Sequence, residues 1–239
     1  CVHAETAESP GAKMGSMTTT ADTAEDWARG AEQQLLEEAI RLAPREGWTW
    51  RMAKHAGRAC GFSEGETELL VPHGPADLAA LFSRRHDQRA LLALEPLDAG
   101  ALKIRERIAR AVEARLDAAA ADEPATRRWA GYLALPLNLG LGGKLAWESA
   151  DVLWRWAGDV ATDENHYSKR VILAGILTSA LAVRMAEGRA EALTYVDRRI
   201  EDVMRFEKWK ATTRFRPSDF ASGVAQALGR MRYGSRPQA

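Results

Sequence analysis

Apolar residues recur at spacings of three and four along nearly the whole chain, and sheet-forming residues are scarce. Leu35, Leu36, Ala39 and Ile40 share one helical face, as do Ile104, Ile108, Val112 and Leu116, and later Leu193, Val196, Ile200 and Val203. Val and Ile together number only 16 of 239 residues, too few for a large sheet. The fold class expected is therefore all-α. The length allows one or two domains, and 46% hydrophobic residues suffice for a sizeable core. Two cysteines, Cys1 and Cys60, make neither a disulfide framework nor a zinc site.

The punctuation predicts a series of helices. The first spans Asp26–Ala43 and ends at Pro44 and Gly47. Thr49 caps a second over Trp50–Cys60, closed by Gly61, and Ser63 with Glu66 forms a capping box that opens a third. These three have the spacing of a helix-turn-helix module. A fourth helix follows Pro75, a fifth covers Asp98–Ala120, and a short one lies near 125–134. Leu141–Ala157, Asp163–Glu187 and Arg189–Lys210 follow, and Ser218–Met231 is the last after a break at Arg216–Pro217. The organisation expected is a disordered segment over 1–24, a helix-turn-helix-like unit over 25–95, a helical bundle over 96–212 and a basic tail over 213–239. Residues 1–16 are set aside from fold reasoning, because Met14 and Met17 are plausible translation starts. No apolar secretion segment and no Arg-rich presequence precede Trp27.

Two apolar stretches imitate membrane spans. Residues 129–147 hold one charge, Lys144, but Pro136 and Gly131, Gly140, Gly142 and Gly143 interrupt them. Residues 171–183 are apolar all round but number only 13, the length of a buried helix.

Catalytic motifs fail on context. Gly61-Phe62-Ser63-Glu64-Gly65 matches the G-x-S-x-G elbow, but it lies between helices where that elbow needs a strand, and Ser63 already serves as a cap. Gly140 to Lys144 resembles a phosphate loop, but Asn138 and Leu145 stand where the motif needs Gly and Ser or Thr. Asp163-x-x-His166 is a single partial match to the paired Glu-x-x-His motifs of di-iron bundles. No catalytic residue, metal site or cofactor is expected.

Net charge is zero, from 33 basic and 33 acidic residues, but it is unevenly placed. Residues 22–85 hold eight basic and eleven acidic side chains. The presumptive recognition segment, Ser63–Leu70, carries Glu64, Glu66 and Glu68 and no Lys or Arg. Carboxylates facing a major groove repel phosphate and lack the usual base contacts, so no nucleic-acid partner is expected. A ligand-responsive transcriptional regulator remains the alternative reading. Residues 205–239 hold eight basic side chains against two acidic ones. Within them Phe220, Val224, Leu228 and Met231 form one helical stripe. Such a stripe can pack on the protein body or lie in a membrane interface with arginines at anionic head groups. The basic surround favours the membrane.

From Trp154 to Met185 the chain reads WRWAGDVATDENHYSKRVILAGILTSALAVRM. The W-x-[WY]-A-G-D-x-[AS]-T-D core, then Y-[ST]-[KR]-R and an apolar helix, resembles the coenzyme Q (ubiquinone) biosynthesis lipid-binding family, protein nine of that pathway. Glu46-Gly47-Trp48-Thr49, Gly61-Phe62-Ser63 and Leu135-Pro136-Leu137-Asn138 extend the resemblance. It implies a TetR-like helical fold and a non-enzymatic protein that binds isoprenoid or quinone lipids and gives a membrane-bound ubiquinone-pathway hydroxylase access to them. It also implies a C-terminal membrane-touching helix, matched here by Ser218–Met231, and a partner patch on Asp151, Leu153, Trp154, Asp163, His166, Tyr167 and Arg170. Leu153 stands where some members have Met, and His166 where some have Trp.

The residues allow a lipid site without requiring it. In the apolar helix Ile172, Gly175, Ile176 and Ser179 can leave room for a tail, with Leu137, Leu141 and Leu145 facing them. Ordinary core packing explains the same leucines and isoleucines. The expected place is cytoplasmic, peripheral at the inner membrane face, or the matrix side in a eukaryote. A homodimer is possible, since TetR-like domains often pair through their last helices.

Overall fold

The structure, a computed structural model, describes residues 18–159 and 164–212. The helix expected at Ser218–Met231, with Phe220, Val224, Leu228 and Met231, lies outside the described residues, as do Asp163 and residues 1–16. Among the described residues all regular structure is helical. The order is α1 (Thr18–Glu46), α2 (Trp50–Ala59), α3 (Glu64–Leu70), α4 (Pro75–Leu94), α5 (Ile104–Ala120), α6 (Glu123–Leu133), α7 (Leu139–Trp156), α8 (Glu164–Ala186) and α9 (Arg189–Thr212).

The caps act as the sequence implies. The Thr49 hydroxyl accepts from Met52 N. Ser63 Oγ accepts from Glu66 N at 3.2 Å, and the Glu66 carboxylate accepts from Ser63 N at 2.8 Å. The Ser63 hydroxyl, which also donates to that carboxylate at 2.7 Å, and the Ser63 N–H hold the Glu66 carboxyl below its ordinary pKa. α2 and α3 approach so closely that a Cβ on Gly57 would lie 2.1 Å from the Thr67 hydroxyl. No larger residue fits there while α3 keeps its place.

Four boundaries differ from expectation. α1 begins at Thr18 instead of Asp26, so residues 18–24, expected to be disordered, are helical. Pro44 lies inside α1, and the helix stops only at Gly47, whose φ of +69° takes the left-handed conformation. Asp98 caps a three-residue 3-10 turn, Ala99–Ala101, instead of opening α5, which begins at Ile104 after Glu106 accepts from Lys103 N. α7 starts at Leu139, two residues before the expected Leu141, so Gly140 is helical as well.

Two apolar cores result. The first joins Leu35, Trp48, Met52, Leu78 and Phe82, and draws in Ala125, Trp129 and Leu145 from much later in the chain. The second joins Leu94 to Ile108, Val112, Leu153, Leu173 and Val196 of α5, α7, α8 and α9. Leu181 packs against both. Each buried large aliphatic contributes roughly 1.5–3 kcal/mol as an upper bound. Long-range hydrogen bonds align the first core: Trp48 Nε1 donates to Ala125 O and Trp129 Nε1 to Ala79 O.

Candidate lipid cavity and the helix pair beside it

α4 is apolar on its inner register, but three polar residues interrupt that face. Leu78, Ala79, Phe82, Ser83, His86, Asp87, Ala90 and Leu94 are all buried. Asp87 meets Arg115 from α5, whose Nε donates to Asp87 Oδ1 at 2.6 Å. Ser149 from α7 donates to the other oxygen, Asp87 Oδ2, at 3.0 Å. Arg115 also donates to the Ser83 hydroxyl, weakly, at 3.4 Å. The pair is self-neutralising, which buried charges require. His86 packs its ring edge-on at 4.1 Å from the Phe82 centroid. Burial, with the charges of Arg115, Arg89 and Arg85, pushes its pKa down to about 2, so the imidazole stays neutral.

Beside this cluster lies a cavity of ≈ 630 Å³ between α4, α5, α6, α7 and α8. That is within the usual range for small-molecule sites. Its walls are mostly apolar: Leu116, Trp129, Leu133, Leu139, Leu145, Leu177 and Leu181 among others. A second cavity of ≈ 500 Å³ lies between α5, α7, α8 and α9.

The residues expected to line a lipid site are dispersed. Leu145 lines the first cavity, while Ile172 and Ile176 line the second. Leu141 packs half-buried against the first core, and Gly175 is exposed. The Ser179 hydroxyl donates to the carbonyls of Gly175 and Ile176 on its own helix. Leu137, in a 3-10 turn, is 98% exposed, beside exposed Leu135 and Leu139. Because residues 171–183 are apolar all round, their pattern does not say which side faces which space. Sequence reasoning missed Ser83, Asp87, Arg115 and Ser149. The signal was present in α4, where polar residues fall on an apolar register.

The residues expected to meet a partner also divide. Arg170 is 1% exposed and donates to Asp151 Oδ1 at 2.6 Å, Asp159 Oδ2 at 3.1 Å and the His166 carbonyl. Burial raises the Asp159 pKa, but hydrogen bonds and charges from Lys169 and Arg170 outweigh it and hold the carboxyl below its ordinary value. Leu153 is fully buried in the second core. Trp154 is half-buried: its Nε1 donates to Lys169 O and the Lys169 ammonium sits 5.4 Å from its ring centroid. These residues lock α7 to α8. Tyr167 is 64% exposed, stacks on Trp147 at 6.0 Å and meets His166 edge-on. Val171, one turn along α8 from Tyr167, is exposed as well. Trp147 was not foreseen.

α3 displays Glu64, Glu66 and Glu68 outward. Among the described residues no group of three or more His, Cys, Asp or Glu is placed to hold a metal ion, and no helix is long and apolar enough to cross a membrane.

Residues 140–207, which hold α7, α8 and most of α9, match the sequence model of the COQ9 family. The ubiquinone biosynthesis protein COQ9 of Rattus norvegicus is 26% identical over 186 residues, 72% of this chain and 58% of its own length. The COQ9 of Bos taurus is also 26% identical, over 57% of its length. Over these three helices the chain is similar to the COQ9 family. The probable ubiquinone biosynthesis protein coq9 of Dictyostelium discoideum is 22% identical over 189 residues. All three relatives are named as mitochondrial. The chain spans less than two thirds of their length, 58% of the rat protein. The COQ9 match thus falls on the α7–α8 hairpin, which carries both the Arg170 lock and the Tyr167–Trp147 stack.

Proposed function

We propose that this chain is a non-enzymatic lipid-binding accessory protein of ubiquinone biosynthesis. It binds the isoprenoid tail of a quinone or quinone precursor and presents that lipid to a membrane-associated hydroxylase. The observation that carries the reading is the ≈ 630 Å³ apolar cavity, whose lining reaches the surface at exposed Leu139. An apolar tail gains roughly 0.8 kcal/mol for each CH2 it buries. The relatives' names supply the pathway, and the COQ9 match covers the hairpin that forms one wall of the cavity.

The hydroxylase docks on the outer face of that hairpin, at Tyr167, Trp147 and His166. Stacked aromatics with one open side are the usual anchors of such interfaces. Asp151, Leu153, Trp154 and Arg170 act from beneath by fixing the hairpin. The basic segment after α9, with its Phe220, Val224, Leu228 and Met231 stripe, holds the protein at the inner membrane face.

Native mass spectrometry with lipid extraction tests the central claim. A co-purified isoprenoid or quinone is the expected result; protein that emerges free of lipid and takes none from vesicles would overturn it. Liposome flotation tests the membrane role. A Phe220→Glu/Leu228→Glu variant that floats as well as the parent chain removes that role from the segment.

A further inference from the structure

The cavity keeps its few polar groups at the floor instead of the mouth. In most surface clefts polar groups ring the mouth and apolar ones fill the floor. Here the buried lining residues include Ser83, Arg115 and Ser149, which are 2%, 6% and 3% exposed. The exposed lining residues are Ala134, Leu139, Gly143, Thr178 and Ala182, nearly all apolar or small. The one charge at the rim, Arg127, is already bonded to Glu123 and to the Met185 carbonyl.

The floor has donors to spare. A guanidinium carries five N–H groups. Arg115 gives Nε–H to Asp87 and one Nη2–H, weakly, to Ser83. Three remain, in a wall that is otherwise Leu116, Trp129, Leu145 and Leu177. A buried donor without an acceptor costs about 1–3 kcal/mol, so this pole favours a ligand that brings oxygen. Its charge is already balanced. Arg115 has Asp87, Arg89 has Asp122 and Arg85 has Glu37, while His86 stays neutral. An anionic head would add an uncompensated charge to a neutral floor, whereas a carbonyl or methoxy oxygen would not.

We propose that the cavity takes its lipid head-inward: a neutral, oxygen-bearing ring sits against Arg115, Ser83 and Ser149, and the apolar tail leaves past Leu139 toward the exposed leucines. The proposal rests on the lipid-binding reading and sharpens it. The reactive ring is sheltered in the protein while the tail stays in apolar surroundings, so passing the ring to an enzyme requires the lipid to slide outward, tail leading.

Competition against a bound apolar dye tests this with three probes on the same protein: a decyl-substituted benzoquinone, decylbenzene and dodecanoate. The quinone is expected to bind the parent chain about tenfold more tightly than decylbenzene, which is the free energy of one hydrogen bond from a buried donor. Arg115→Lys, which keeps the charge and loses the fork, should erase most of that preference, and Ser83→Ala, which removes a neighbouring hydroxyl donor, should reduce it, each with a smaller effect on decylbenzene. Ser83→Ala spares the Asp87–Arg115 pair, so it keeps the test informative where Arg115→Lys fails to fold. Equal binding of quinone and decylbenzene by the parent chain overturns the head-inward pose while leaving lipid binding intact. So does a preference that survives both variants. Tighter binding of dodecanoate than of quinone overturns the neutral head. Failure of all three probes brings down the lipid-binding reading itself, and this inference with it.

Discussion

Arg115 and Arg170 are both nearly free of solvent, 6% and 1% exposed, and each is paired with acid. Their surroundings differ. Arg170 meets two carboxylates and a backbone carbonyl, all within the α7–α8 hairpin and the turn after α7. Its donors are matched by a dense set of acceptors from the protein itself. Arg115 meets one carboxylate and one distant hydroxyl, and borders a cavity. A buried guanidinium can therefore be a fastener or a receptor, and the supply of protein acceptors around it decides which.

The comparison breaks most visibly at Arg170. Arg170→Met removes the cation that Asp151 and Asp159 share and leaves them only Arg155 and Lys169, so about 1.5–3 kcal/mol of stability should be lost in denaturant titration. A loss under about 1 kcal/mol would show that the node is not a lock. Its acid dependence has a defined sign. The depressed Asp159 pKa contributes stability that is fully present above the ordinary carboxylate value near ~3.9 and is lost as pH falls through the lower folded value.

At the other pole, His86 gives the opposite kind of acid sensitivity. Its folded pKa of about 2 means that the unfolded chain, but not the folded one, takes a proton as pH falls below the ordinary value of 6.5. Stability should then decline by about 1.4 kcal/mol per pH unit below that point on account of this group. His86→Leu should flatten the slope between pH ~6.5 and ~4.5, as read from melts across that window; an unchanged slope would contradict the burial of a neutral ring.

Smaller effects follow. Ser149→Ala removes one hydrogen bond to a buried carboxylate and should cost about 1.5–3 kcal/mol in the empty protein. A bound quinone has no hydrogen to donate to Asp87, so it should not restore that loss. Tyr167→Ala gives up one exposed aromatic pair, about 0.5–1.5 kcal/mol at most. It should leave lipid uptake unchanged while weakening co-purification with the hydroxylase; undiminished co-purification would move the docking face elsewhere.

Much of this molecule is legible from residue order alone. The caps at Thr49 and Ser63, the stop at Gly61 and the order of the helices follow from local backbone chemistry, and local rules read them correctly. The errors are local too. Pro44 reads as a terminator, but the actual stop comes at Gly47. The start of α7 is read two residues late, at Leu141, where the helix begins at Leu139.

The functional surfaces were harder to read. The pattern of residues 171–183 establishes burial but not direction, so Ile172 and Ile176 fall on a different cavity from Leu145. The family resemblance marks the α7–α8 block without separating Arg170, which holds it together, from Tyr167, which faces outward. The sequence alone determined an all-helical chain, an acidic front and a basic end, because propensity, capping and charge are properties of neighbours. Only the tertiary structure decided that Asp87, Arg115 and Ser149, 62 residues apart at their widest, meet at the floor of one cavity. That meeting depends on which helix faces pack together, and packing joins residues that no local rule connects.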